Sequence, residues 1–114
     1  MADLEIRSLD APDAVRGRTR LVTLSGGTIG LAVFEPGWRW SVHTKPLRGT
    51  DSCETAHLGY LISGRLRVRM DGGLEREIGS GSAFHIPPGH DAWVVGDTPC
   101  TFVEFFPGAL TAVA

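Results

Sequence analysis

A predicted tight turn in this chain leads directly into a histidine. Pro87, Pro88 and Gly89 follow one another, and His90 comes next, at the start of an apolar run that ends at Val95. Two prolines and a glycine fix a tight turn, so the imidazole of His90 is delivered onto the first residue of a strand. Neutral imidazole is a ligand for Zn, Fe, Ni or Cu. The corner therefore indicates a metal ligand aimed into the mouth of a β-barrel.

The chain that positions this histidine is short and nearly neutral. It has 114 residues, 42% of them apolar, and a formal net charge of -2, which predicts one domain with one core. No basic stripe is present, so we expect neither nucleic acid nor a membrane surface as a partner. The N-terminal residues carry acids and no apolar signal segment, and Cys53 and Cys100 form no disulfide framework. We expect a cytoplasmic protein with two reduced thiols.

Short extended runs make up most of the sequence. Fifteen glycines and seven prolines punctuate it, and no segment has a sustained helical period. The candidate strands are Thr19–Ser25, Thr28–Glu35, Trp38–His43, Ala56–Ser63, Arg65–Met70, Leu74–Ile78, Ala83–Ile86, His90–Val95 and Cys100–Phe106. This spacing is typical of an all-β sandwich or barrel. We assign residues 1–18 to an N-terminal arm or edge strand, 19–107 to the barrel and 108–114 to a C-terminal tail.

Charge pairing predicts the register of one hairpin. A three-residue loop at 71–73 places Arg67 and Arg69 opposite Glu77 and Glu75, whereas a two-residue loop places Arg69 opposite another arginine. Opposite charges across a strand pair stabilise it by a few tenths to about 1 kcal/mol, and like charges destabilise it. We therefore predict the three-residue loop, with the arginines facing solvent and the intervening apolar residues facing the core.

The same alternation assigns the histidines to faces. His57 shares a face with Gly59, whose small size leaves room for a ligand beside the imidazole. His85 is predicted to face outward. Glu104 shares a face with two phenylalanines, so it lies either at an opening of the barrel or inside the lumen. The cost of an unpaired charge in the lumen favours the opening.

Three tryptophans fall on the face opposite the histidines. If His43 and His90 point inward, then Trp38, Trp40 and Trp93 point outward. Exposed tryptophans in one patch indicate a covered interface, so we predict a homodimer, or cover by the N-terminal arm. A bulge that turns a tryptophan into the lumen is the alternative.

The first part of the chain resembles the first motif of the cupin family. Gly37 is followed after five residues by His43, and His57 is followed after six residues by Gly64. These positions match the opening and the close of the motif. His57 stands where the family usually has glutamate, and Lys45 stands where it has a second histidine.

The second cupin motif is matched on its turn residues. Gly81, Pro87 and Gly89 fit the pattern, and Ala92 holds the position of the family histidine. His90 lies two residues earlier, and a two-residue step along a strand keeps the same face. The resemblance covers residues 28 to 106. It implies a cupin-type double-stranded β-helix, that is, a jelly-roll β-barrel in one domain.

The resemblance also implies a metal site in the lumen. His43, His57 and His90 are then the ligands of a divalent ion, either Zn, Fe or Mn. Residues 44–56, between the first two of these histidines, form a longer segment than the family has. A fourth ligand from this segment would be Cys53, which favours Zn, or Asp51 or Glu54, which favour Fe or Mn.

The predicted function is that of a small cupin-like metal-binding protein with a small-molecule ligand. One hypothesis is a metal-dependent enzyme of the dioxygenase or isomerase type that acts on a small polar molecule. The alternatives are a non-catalytic binding or sensing module and a structural role with an empty lumen. The candidate substrate-pocket residues are Arg39, Cys53, Glu54 and Gly59. No organic cofactor is predicted, because the chain has no nucleotide-binding glycine loop.

Overall fold

The computed structural model describes residues 4–107. Strands dominate it, and the two helices in this part of the chain have four residues each. In chain order the elements are β1 (Ala14–Arg16), β2 (Thr19–Leu24), β3 (Gly27–Phe34), α1 (Trp40–His43), α2 (Lys45–Arg48), β4 (His57–Ser63), β5 (Arg65–Met70), β6 (Glu75–Gly79), β7 (Ala83–Ile86), β8 (His90–Val94) and β9 (Cys100–Pro107). Neither helix has the length and apolar character that crossing a bilayer requires.

Two antiparallel sheets form the sandwich. The larger has the strand order β1-β2-β3-β9-β4-β7, and the smaller has the order β6-β5-β8. Side chains from both sheets meet in one apolar core. Its buried members are Ala32, Leu61, Leu66, Val68, Phe84, Ile86, Ala92, Val94, Cys100 and Phe102. The all-β jelly-roll prediction is confirmed.

The hairpin of β5 and β6 has the register that charge pairing predicted. Arg67 lies opposite Glu77, and Arg69 lies opposite Glu75. The three-residue loop ends at Gly73, whose φ of 103° is in the region that favours glycine. The apolar residues between the arginines face the core, as expected.

The predicted strand Trp38–His43 is wrong. The segment makes one isolated bridge, between Arg39 and Trp93, and then turns into α1. The side chain of Asp91 accepts a hydrogen bond from the backbone N–H of Ser41 at 3.0 Å. A carboxylate in that position stabilises a first helical turn, which alternation of apolar residues cannot reveal.

This turn also changes where the tryptophans lie. Trp40 is buried, and Trp38 packs on Phe34 with ring centroids 4.1 Å apart, so the outward prediction is wrong for both. Trp93 does lie on the outer face, where the Arg39 guanidinium carbon sits 4.1 Å from the ring centroid. The three rings share no outer patch, so they supply no argument for the homodimer, which stays a prediction.

The N-terminal residues run along β2. Within the segment predicted as an arm or edge strand, β1 pairs antiparallel with β2. Further contacts tie down the residues before it: Asp13 accepts from the N–H of Thr23 at 2.8 Å, and Glu5 accepts from the N–H of Ser25 at 3.0 Å. The predicted tail, residues 108–114, lies outside the described residues.

Candidate metal and ligand site

A cavity of about 400 Å³ opens between the two sheets, with α1 and α2 in its wall. This volume is within the range of small-molecule sites, about 300–1,000 Å³. Most of its wall is apolar, and six aromatic side chains contribute to it. They are Phe34, Trp38, Trp40, Phe84, Phe102 and Phe106.

Three potential metal ligands meet on one side of this cavity. One ligand atom each from Cys53, His57 and His90 lies within 4.8 Å of the other two. The Sγ atom of Cys53 is 3.6 Å from Nε2 of His57. The rings of His57 and His90 are 5.2 Å apart at their centroids and meet edge to face.

Strand geometry brings the three side chains together. His57 and His90 begin β4 and β8, in different sheets. Cys53 belongs to the segment that is longer than in the cupin motif, and it docks on His90 as an isolated β-bridge. The N–H of Cys53 donates to the carbonyl of His90 at 2.7 Å, and the N–H of His90 donates back at 3.2 Å. The segment therefore places a thiol beside an imidazole.

Both imidazoles are held in a defined orientation by their Nδ1 atoms. Nδ1 of His57 donates to the buried carboxylate of Glu104, and Nδ1 of His90 donates to the carbonyl of Pro87 at 2.8 Å. A carboxylate or carbonyl on the far ring nitrogen is the usual support of a metal-binding histidine, since it fixes the tautomer and the ring orientation. Nε2 of each ring is left for a ligand.

The site also stabilises charge on the thiol and on one imidazole. Burial alone raises the pKa of Cys53, but hydrogen bonds with His57 and His90 outweigh it and lower that pKa to about 6. Burial alone lowers the pKa of His57, but hydrogen bonds with Cys53 and Glu104 outweigh it and raise that pKa to about 9. Burial without such partners raises the pKa of Cys100 to about 11. The environment of Cys53 thus favours the thiolate, the form that binds metals, whereas His57 must release its proton when a metal binds.

The distance between Cys53 and His57 fits two ligands of one tetrahedrally coordinated zinc ion. With Zn–S near 2.3 Å and Zn–N near 2.0–2.1 Å, sulfur and nitrogen around one zinc are separated by about 3.6 Å. This is the separation found between Cys53 and His57. One thiolate and two imidazoles leave a coordination position open, which is the pattern of a site that takes a further ligand.

His43 does not join this group. It is the last residue of α1, and its Nδ1 accepts from the backbone N–H of Arg39 at 3.1 Å. The ring lines the cavity wall but stands apart from the three clustered ligand atoms. Of the predicted triad His43, His57 and His90, two members come together. Cys53, one of the three candidates for a fourth ligand, is the third member of the group.

The other carboxylate candidates of the segment lie elsewhere. Asp51 is exposed and pairs with Lys45 at 3.8 Å. Glu54 is exposed and accepts from the hydroxyl of Ser52 at 3.0 Å. Neither joins the group of three ligand atoms, and Lys45 is paired with Asp51 outside the cavity lining.

Of the four predicted substrate-pocket residues, Cys53 lines the cavity and Arg39, Glu54 and Gly59 do not. Arg39 bonds to Asp91 at 3.1 Å on the outer face of β8. The space beside Gly59 is filled by protein: a Cβ there would lie 2.2 Å from the carbonyl oxygen of Val103. The glycine therefore serves strand packing and leaves no room for a ligand.

Glu104 is the residue of this candidate site that the sequence analysis did not propose. It is 5% exposed and hydrogen-bonded to His57, so it lies in the lumen and not at an opening. Alternation with Phe102 and Phe106 already favoured an inward position. The partner that stabilises this buried carboxylate is His57 on β4, the strand that pairs with β9. His57 and Glu104 are 47 positions apart in the sequence. His85, in contrast, is exposed, as predicted.

Comparison with known proteins supports the fold. No family model matches the sequence, and no curated protein does. A Cupin 2 conserved barrel domain protein from Salinispora arenicola superposes with a TM-score of 0.58 at 19% identity, covering 92% of this chain and 90% of that one. The chain has the cupin fold. A double-stranded β-helix protein from Klebsiella pneumoniae (TM-score 0.56, 18% identity, 93% and 92% covered) agrees with this. So does a cupin domain from Bordetella pertussis (0.53, 18%, 86% and 96%).

Proposed function

We propose that this protein binds one divalent metal ion through Cys53, His57 and His90 and presents it to a small organic ligand in the cavity. The observation that carries the proposal is the clustering of three ligand atoms within 4.8 Å, two of them on imidazoles whose other nitrogen is already engaged. The wall of the same cavity offers a surface for the ligand.

Zinc is the ion that the donor set favours. Of the three metals predicted from the sequence, Fe and Mn prefer sites with carboxylates, whereas thiolate with imidazole suits Zn. A bound Zn²⁺ supplies Lewis acidity to a ligand oxygen. The residues of the chain have distinct tasks around it. Glu104 and the Pro87 carbonyl hold the two imidazoles, and the aromatic wall limits the access of water.

Elemental analysis of the purified protein tests the proposal. Wild type, equilibrated with Zn²⁺ and freed of excess metal, should retain about one ion per chain. Cys53→Ser, His57→Ala and His90→Ala should each bind it at least tenfold more weakly, since each removes a direct ligand. His43→Ala and His85→Ala are the matched controls and should keep full occupancy. In Co²⁺-substituted protein, a thiolate-to-metal absorption band should be present in wild type and absent in Cys53→Ser.

Two results would overturn the proposal. One is wild-type protein that shows no saturable Zn²⁺ binding while circular dichroism shows it folded. The other is ligand variants that bind as tightly as the two controls. Stoichiometric iron or manganese in place of zinc would support the metal site and favour the enzyme hypothesis from the sequence.

A second candidate function rests on the contacts that link Cys53 to His57 and His57 to Glu104. A thiol next to an imidazole that is itself oriented by a carboxylate is the arrangement of nucleophilic cysteine catalysis. The two candidates differ in one measurement. A nucleophilic thiol without a metal site predicts that an electrophile modifies Cys53 equally with and without Zn²⁺, and that the reaction is lost in His57→Ala. A metal site predicts that Zn²⁺ suppresses the modification.

A further inference from the structure

The charges around the cavity are unevenly distributed. Three arginines line it, Arg16 and Arg18 near the turn between β1 and β2, and Arg48 on α2. Among the described residues, 4–107, Glu104 is the one acidic side chain in the lining, and His57 pairs with it. The lining as a whole is therefore cationic, apart from any metal ion.

Two of these arginines have no carboxylate partner among residues 4–107. Neither Arg16 nor Arg18 forms an ion pair there, whereas Arg20, two residues further on, pairs with Asp10 at 3.3 Å. A guanidinium presents a planar fork of N–H donors that matches a carboxylate. A concave surface lined by charge of one sign also concentrates counter-ions of the opposite sign.

The inner wall of the cavity is largely apolar and aromatic. Trp38 and Trp40 come from the segment that folds back as α1, and phenylalanines of three strands complete the wall. Flat apolar walls of this kind favour an aromatic ring, which gains ring–ring contacts as well as apolar burial. The small polar molecule expected from the sequence does not match such a wall.

We infer that the ligand of this cavity is a small aromatic carboxylate, with its ring against the aromatic wall and its carboxylate at Arg16 and Arg18. The inference concerns the cavity of the proposed function and rests on its being a ligand site, but it does not require the metal ion. It names what the ligand must carry: one apolar ring and one negative charge.

Three compounds of similar size distinguish the contribution of the ring to binding from that of the charge. Phenylacetate, phenylacetamide and 2-phenylethylamine share the ring and are negative, neutral and positive. Binding to metal-free protein is followed by tryptophan fluorescence, because Trp38 and Trp40 line the cavity, and by calorimetry. We expect phenylacetate to bind about tenfold more tightly than phenylacetamide, with 2-phenylethylamine weakest. Acetate, which lacks the ring, should bind weakly. Added salt should weaken the binding of phenylacetate and leave that of phenylacetamide unchanged.

Substitution of Arg16 and Arg18 tests whether these two arginines cause the preference for an anionic ligand. The double variant Arg16→Gln/Arg18→Gln should bind phenylacetate no more tightly than phenylacetamide. Arg69→Gln, an exposed arginine on β5 outside the cavity lining, is the matched control and should behave as wild type. Repeating the series with Zn²⁺-loaded protein separates a carboxylate bound at the ion from one bound at the arginines, since a preference for the ion survives the double substitution.

Three outcomes would overturn the inference. They are equal binding of the anion and the amide, an anion preference that the double variant keeps in metal-free protein, and no saturable binding of any of the three ring compounds. None of these outcomes concerns zinc binding, so the metal site is tested separately, by the elemental analysis described above. Circular dichroism of the double variant verifies that the barrel remains folded.

Discussion

Glu104 and His57 form a buried hydrogen-bonded pair that joins β9 to β4 inside the cavity. His57 turns its Nε2 toward Cys53 because its Nδ1 is held by this carboxylate. The carboxylate in turn is stable in an apolar cavity because the imidazole neutralises it. Each residue thus accounts for the position of the other.

The pair predicts a specific effect of Glu104→Gln on metal binding. The amide keeps the size of the side chain but loses the charge, so the imidazole becomes less basic and less firmly oriented. We expect Zn²⁺ affinity to fall about 10- to 100-fold, as for other supporting groups of metal-bound histidines. Competition with a chromogenic chelator measures this. Glu77→Gln, on the outer face of the β5–β6 hairpin, is the control, and equal affinities in the two variants would contradict the role given to Glu104.

The two cysteines are predicted to differ in reactivity. Cys53 lines the cavity and its pKa is lowered to about 6, whereas Cys100 is 0% exposed in the core and its pKa is raised to about 11. At pH 8 and without metal, one thiol per chain should react with a small alkylating agent, and peptide mass analysis should locate it at Cys53. Zn²⁺ should protect it. Modification of Cys100 in the native protein would contradict the environments described here.

Alternation and turn chemistry were enough to predict most of the barrel. The β5–β6 register followed from opposite charges, and the inward face of β4 followed from the two-residue period. These features depend on neighbours in sequence, or on pairs joined by a short loop. Two-residue periodicity also placed His57 and His90 on inward faces, which is why these two of the three predicted ligands lie close together.

The failures share a cause, which is contact between distant segments. α1 forms where Asp91, 50 positions away, meets the backbone of Ser41, and the change from strand to helix moved His43 out of the ligand group. Cys53 is held in the site by an isolated β-bridge to His90, a residue far from it in sequence. No local pattern carries this information. A resemblance measured on motif spacing cannot supply it either, because residues 44–56 depart from the motif.

Acid is predicted to release the N-terminal residues from β2 before the barrel unfolds. The pKa of Asp13 is lowered by its bonds with Arg7 and with the N–H of Thr23, and that of Glu5 is lowered by its bonds to Ser25. A carboxyl whose pKa is lowered by folding contributes stability above its unfolded pKa, about 4 for both types, and loses it as the pH falls through the folded value. Protection of the Thr23 and Ser25 amides from hydrogen exchange should therefore decline below about pH 4.

A variant isolates this effect from general acid unfolding. Asp13→Ala should lower the protection of the Thr23 amide already at neutral pH and reduce its dependence on acid. Asp97→Ala, in the loop after β8, should not change it. If Thr23 keeps its protection in Asp13→Ala, the side-chain contact does not hold the arm.

Gly59 is predicted to be essential for the pairing of β4 with β9. An added Cβ would lie 2.2 Å from the Val103 carbonyl oxygen and 2.8 Å from the Phe84 ring, and a backbone atom cannot move away without separating the strands. Gly59→Ala should therefore lower the free energy of unfolding by about 3 kcal/mol. Gly79→Ala, at a strand position where a Cβ would meet no heavy atom within 4 Å, should change it by no more than about 0.5 kcal/mol.

The same substitution connects the fold to the metal site. Gly59 lies directly opposite Glu104 in the pairing of the two strands, so a displaced β4 draws His57 away from its carboxylate partner. Urea denaturation gives the stability, and chelator competition on the folded variant gives Zn²⁺ affinity. We expect both to fall in Gly59→Ala and neither to fall in Gly79→Ala. A destabilised Gly59→Ala that keeps wild-type affinity would show that the Glu104–His57 contact does not depend on this strand register.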